Sequence, residues 1–199
     1  PPRSTLFPYT TLFRSGWGPL VRSAQAFTQA LETWAATGAL PPFAADGGLS
    51  EVEYRKLQQL LDPDACQPQT AASWLDDIHT VLRTALAFAD VGQLVPATTA
   101  LTAHSCVSMN ATAKTWMELY AALSAREHER ILHYGLVLLE SPHVPASDKR
   151  WASFPAAVAG LARHDRVASR LWRAYRGQHA EYEIERWVLD YMVTFDRYQ

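Results

Sequence analysis

Apolar side chains recur at steps of three and four residues along nearly all of this 199-residue chain, and nowhere does a sustained alternating run of β-branched residues appear. That spacing places the apolar positions on one face of a helix with 3.6 residues per turn, whereas a half-buried strand would need a period of two. The pattern predicts an all-α fold, a multi-helix bundle. Leu20, Ala24, Phe27, Leu31 and Trp34 mark a first helix that Gly38 closes. The segment GALPPFAADGG, with two prolines and three glycines, is a loop. Ser50 and Glu53 then have the form of a capping box opening a second helix that Pro63 stops.

A third helix follows from Trp74, Ile78, Val81, Leu82 and Ala85, with Ser73 as its expected N-cap and Gly92 with Pro96 as its stop. A short helix is expected after Pro96. The block 111–139 reads as helical throughout, with Trp116, Tyr120 and Leu123 on its first stripe and Ile131, Leu132, Leu136 and Leu139 on its second. Ser124 and Glu127 repeat the capping-box spacing, so a break is expected there. Pro142 and Pro145 end the block, and Pro155, at a first-turn position, is expected to open a short helix. From Leu161 to Gln199 two helical patterns meet at Gly177, predicting a helical hairpin.

The first fifteen residues, PPRSTLFPYTTLFRS, show no periodicity and no signal-peptide pattern. Back-translated, they match in frame a common sequencing-library adapter. Residues 1–15 are therefore read as a non-native tail and 16–199 as a single helical domain fragment, expected to be cut at its start because the DNA read would begin inside a gene and at its end because the last helical pattern meets no stop signal before Gln199.

The chain carries 18 basic and 20 acidic residues, and the tail accounts for Arg3 and Arg14 but no acid. A mildly acidic segment without a basic run gives no footprint for nucleic acid. No apolar run reaches the roughly 20 residues of a membrane span. Cys66 and Cys106 are distant and form no CxxC, so neither a zinc site nor a disulfide framework is expected, and a reducing, cytoplasmic setting is the default. Asn110-Ala-Thr112 has the letters of a glycosylation sequon without other support for secretion.

No metal site is expected from the seven histidines. His128 and His133 are five apart rather than four, and Pro142 interrupts the ExxH letters of Glu140 and His143. GxSxG, a glycine-rich phosphate loop and HExxH are all absent. The tryptophans and tyrosines fall mostly on core faces, where packing explains them. Arg55 is different: it lies in the first turns of the second helix, at the unfavourable end of the helix dipole. An anionic ligand would suit it there, and so would a solvated pair with Glu51 or Glu53.

Three segments resemble the tryptophan 2,3-dioxygenase family: LVRSAQAFTQALETWAATG, GGLSEVEYRKLQQLLD and RHDRVASRLWRAYRGQHAEYEIERWVLDYMVTFDRYQ. The second is similar to the family's F-Q-S-x-Q-[FY]-R helix, with Tyr54 and Arg55 at the aromatic–arginine pair, although Leu49, Ser50, Glu51 and Glu53 depart from it. The third resembles the hairpin leading into the family's W-R-x-R-H segment. The resemblance implies a haem-dependent, tetrameric enzyme that adds O2 across the indole 2,3-bond of L-tryptophan or a related aromatic amino acid. It implies that Arg55 and Tyr54 bind substrate, Arg55 through the carboxylate. It also implies that the axial histidines lie outside this chain, so that the fragment has no catalytic residues and is inactive alone. His164 and His179 are not expected to replace them. The alternatives are a non-enzymatic helical protein-interaction domain and a relative with altered haem chemistry.

Overall fold

The computed structural model describes residues 18–64, 71–108 and 110–163, and every regular element among them is helical. The elements are α1 (Gly18–Thr37), α2 (Glu51–Leu60), α3 (Ala71–Leu86), α4 (Val95–Thr102), α5 (Ser105–Ser108), α6 (Ala111–Ala125), α7 (His128–Glu140) and α8 (Ala146–Ala162). The adapter-like tail and almost all of the expected 161–199 hairpin lie outside the described residues. None of the described helices is long and apolar enough to cross a membrane.

α1 packs on α3 and α4, α4 on α6, α6 on α7 and α7 on α8. One apolar core runs through this arrangement, centred on Leu31, Leu57, Ile78, Leu82, Leu94, Leu101, Met117, Leu119 and Leu138. The stripes read from the sequence are the stripes that are buried: Ala24, Phe27 and Leu31 on α1, and Trp74, Ile78, Val81, Leu82 and Ala85 on α3. Gly38 closes α1 at φ +74°, its N–H returning to the Trp34 carbonyl at 2.7 Å. Ser50 caps α2 as expected, taking the Glu53 N–H while the Glu53 carboxylate accepts the Ser50 N–H at 2.8 Å. Asn110 is the N-cap of α6, accepting from the Ala113 N–H.

Three local expectations need correction. Ser73 does not cap α3, which begins at Ala71, so Ser73 lies within the first turn. The break between α6 and α7 is real, but Ser124 does not make it. Its hydroxyl accepts the Leu94 N–H at 3.0 Å, so the serine serves the 87–94 connection. The helix stops because Arg126 turns left-handed at φ 55°, sending the Glu127 N–H back to the Ala122 carbonyl. Pro155, finally, opens no helix. It sits inside α8, where it removes one backbone donor.

α8 runs past that proline because its small residues pack closely on α7. Ala152, Ala156 and Ala159 are buried there, and Gly135 of α7 provides the space. A Cβ built at Gly135 would lie 2.6 Å from the Ala156 Cβ and 3.1 Å from the Ala152 carbonyl oxygen. Gly135→Ala adds up to about 1 kcal/mol of helix propensity. Overpacking two facing backbones costs about 1–3 kcal/mol. The clash should dominate, so a lower midpoint in urea unfolding is expected for Gly135→Ala; an unchanged or higher midpoint would show that α7 and α8 are not in this contact.

Candidate functional site

The sequence-predicted pair lies at the N-terminal end of α2. Arg55 is on the surface, its side chain 70% exposed, in an i,i+4 ion pair with Glu51. Glu53 is occupied elsewhere: its carboxylate accepts from the Ser50 N–H and hydroxyl and from Ser23 Oγ of α1, each at 2.8 Å. Partial burial raises its pKa, but the Ser50 and Ser23 hydrogen bonds outweigh that and hold it below the ordinary 4.5. Glu51 is thus the acid that meets Arg55, as in the solvated-pair reading. Tyr54 donates its hydroxyl to the Pro41 carbonyl at 2.8 Å and packs on Phe43 at 5.4 Å, tying the 39–49 loop to α2. The structure therefore places Tyr54 and Arg55 side by side in sequence but commits them to different neighbours.

A second constellation was not singled out from the sequence. His79 of α3 is 4% exposed, and its Nδ1 lies 2.7 Å from the hydroxyl of Tyr120 on α6, which is 2% exposed. Trp116, one turn before Tyr120, meets the imidazole edge-on at 4.8 Å and stacks near the phenol at 5.9 Å. At the rim, Arg83 of α3 places its guanidinium 4.5 Å over the ring of Trp151 on α8. Burial, and then the Arg83 charge, pushes His79 from 6.5 down to about 3. Burial raises Tyr120; Arg83 opposes that rise and Asp148 adds to it. At neutral pH the bond therefore joins a neutral imidazole to a neutral phenol.

The sequence held a signal for this pair. His79 falls three residues before Leu82 and seven before Leu86, on the inner face of α3. Tyr120 lies on the apolar stripe of α6, and a buried phenol needs a hydrogen-bond partner. The partner is 41 positions away, beyond any local pattern.

A third cluster holds the end of α2. The last carbonyls of a helix lack intrahelical donors. Here Trp74 Nε1 donates to the Leu60 carbonyl at 2.8 Å, and Ser105 Oγ donates to that of Pro63 at 2.8 Å. His104 stacks on Trp74 at 4.9 Å, its Nε2 lying 2.9 Å from the Asp62 carbonyl while its Nδ1 accepts the Cys106 N–H. A carbonyl on one nitrogen and an N–H on the other require the neutral Nε2–H tautomer. Cys106 is disulfide-bonded, contrary to the expectation from the sequence. The other cysteine in the chain, Cys66, lies outside the described residues. The cysteine spacing of the sequence gives no local pattern from which a disulfide can be read. Disulfides persist in oxidising compartments, so cysteine usage no longer argues for a reducing one.

Among the described residues no three His, Cys, Asp or Glu side chains come together as a metal site. No family model, no curated protein and no solved structure matches this chain.

The His79–Tyr120 bond is open to measurement. Tyr120→Phe leaves a buried imidazole nitrogen without its partner, a loss of about 1–3 kcal/mol. His79→Leu combined with Tyr120→Phe should cost less than the sum of the two single changes, because it removes both polar groups. Additive losses in denaturant unfolding would mean that the two side chains are not bonded.

Proposed function

We propose that this chain is part of a haem-dependent dioxygenase resembling the tryptophan 2,3-dioxygenase family, with Arg55 as the anchor for the carboxylate of an aromatic amino acid. In that family the reaction converts L-tryptophan and O2 to N-formylkynurenine. The observation that supports the reading is the state of Arg55. It projects from the first turns of α2 into solvent, and Ser50 and Ser23 draw Glu53 away from it. An exposed ion pair is worth about 0–1 kcal/mol, so Glu51 is a partner that a substrate carboxylate can displace. A guanidinium can then hold that carboxylate in a two-pronged contact.

The two buried histidines among the described residues are not set out as axial ligands of a haem. An axial ligand needs a free imidazole nitrogen facing a pocket. His79 is bonded to Tyr120 and edged by Trp116, and both nitrogens of His104 are engaged. No step is derived through the group. What this segment contributes in the proposal is a helical frame and an anion anchor, in an oligomer that the resemblance puts at four subunits.

A second reading, a helical interaction domain, is favoured by the exposed apolar side chains Val52 and Phe43 close to the same helix end. Titration calorimetry with L-tryptophan and with tryptamine, which lacks the carboxylate, separates the two. The dioxygenase reading expects Arg55→Ala to weaken L-tryptophan binding by about 10- to 100-fold, the worth of a charge-assisted hydrogen bond, and to leave tryptamine unaffected. Equal binding of L-tryptophan by both proteins would remove Arg55 from any substrate site.

A further inference from the structure

His79 and Tyr120 meet where α3 touches α6, a contact smaller than those of α6 with α4 and α7. On one side α7 packs extensively on α6 and α8; on the other α1 packs along α3; α4 packs on both α1 and α6, and α3 itself touches α6 over a short stretch. A polar bond buried there bears directly on whether α3 stays closed on α6.

We propose that His79 is an acid-operated latch: protonation of its imidazole opens the contact between α3 and α6 while α6, α7 and α8 remain packed together. Closed, the ring lies between the Tyr120 hydroxyl and the Trp116 edge, out of water. An imidazolium in that position would be a second cation one turn from Arg83, which is already stacked on Trp151. α6 presents a phenol and an indole to it, not a carboxylate. Asp148 of α8 acts on Tyr120. From the other elements against α3, α1 brings the Thr28 hydroxyl to the Ala85 carbonyl, Lys56 of α2 pairs with Asp77 at 2.5 Å, and His104, in the turn between α4 and α5, stacks on Trp74. The exposed alternative, an open seam, gives the cation water.

The direction follows from where the proton binds. His79 titrates near 6.5 when exposed and near 3 when closed. The closed state has its full advantage above about 6.5 and loses it progressively as pH falls toward about 3. Glu53 also titrates in acid, but it acts at the cap of α2, so variants at α3 separate the two.

Hydrogen–deuterium exchange on the full chain, corrected for intrinsic rates, tests this between pH 7 and pH 4. Amides of α3 should exchange faster by up to about tenfold per pH unit below 6.5, with those of α7 nearly unchanged. His79→Gln should abolish this acceleration, and Arg83→Gln should reduce it. Acceleration that persists in His79→Gln, or that spreads equally over all helices, would overturn the proposal. If His79→Gln fails to fold, Arg83→Gln decides: an unaltered pH profile counts against the latch.

Discussion

A neutral imidazole and a neutral phenol bonded out of water are the constraint around which the two sides of this bundle are arranged. Apolar burial supplies most of the driving force and would tolerate small shifts of α3 along α6. A buried hydrogen bond tolerates very little, since each partner left unpaired loses its solvation without return. The 2.7 Å contact from His79 to Tyr120 therefore sets the register of α3 against α6, and Trp116 limits the ring from the edge. Arg83 and Trp151 extend the same line of contact to α8 at the surface.

The same accounting governs the helix ends. α2 is short, and its stability depends on having both ends satisfied. At its start Ser50 and Glu53 exchange hydrogen bonds and Ser23 joins from α1. At its finish Trp74, His104 and Ser105 reach the carbonyls of Leu60, Asp62 and Pro63. α2 is thereby fixed to α1, α3 and α5 through polar atoms, and Leu57 and Leu60 complete the attachment. This holds Arg55 outward on a rigid support, the feature on which its proposed role rests.

Much of the fold was legible in the sequence because helix signals are local. The stripes of α1 and α3, the Ser50 capping box and the Gly38 turn each lie within a few residues and appear as read. Misreadings arose where a distant partner claimed a local motif. Ser124 has capping-box spacing, yet the Leu94 N–H takes its hydroxyl, and Pro155 stays within α8 because Gly135 allows close packing. The His79–Tyr120 pair joins residues 41 positions apart, and the Cys106 disulfide follows no local motif, so both lie beyond what periodicity reports. Tyr54 and Arg55 were conspicuous because they matched a motif, not because of their surroundings, and the surroundings now show a stapled loop and a surface ion pair.

Sequence resemblance and geometry thus lead to two separate proposals: an anion anchor on α2, and a titratable bond between α3 and α6. The second carries the physical account of how the bundle is held, and it turns on the charge of one ring. An NMR titration of the His79 ring nitrogens in the folded protein measures that charge directly. The account predicts an imidazole that stays neutral from pH 7 to about 4, approaching its change only near 3. A midpoint near 6.5 with the fold intact would contradict it, because the ring would then be accepting a proton without disturbing the contact it is held to close.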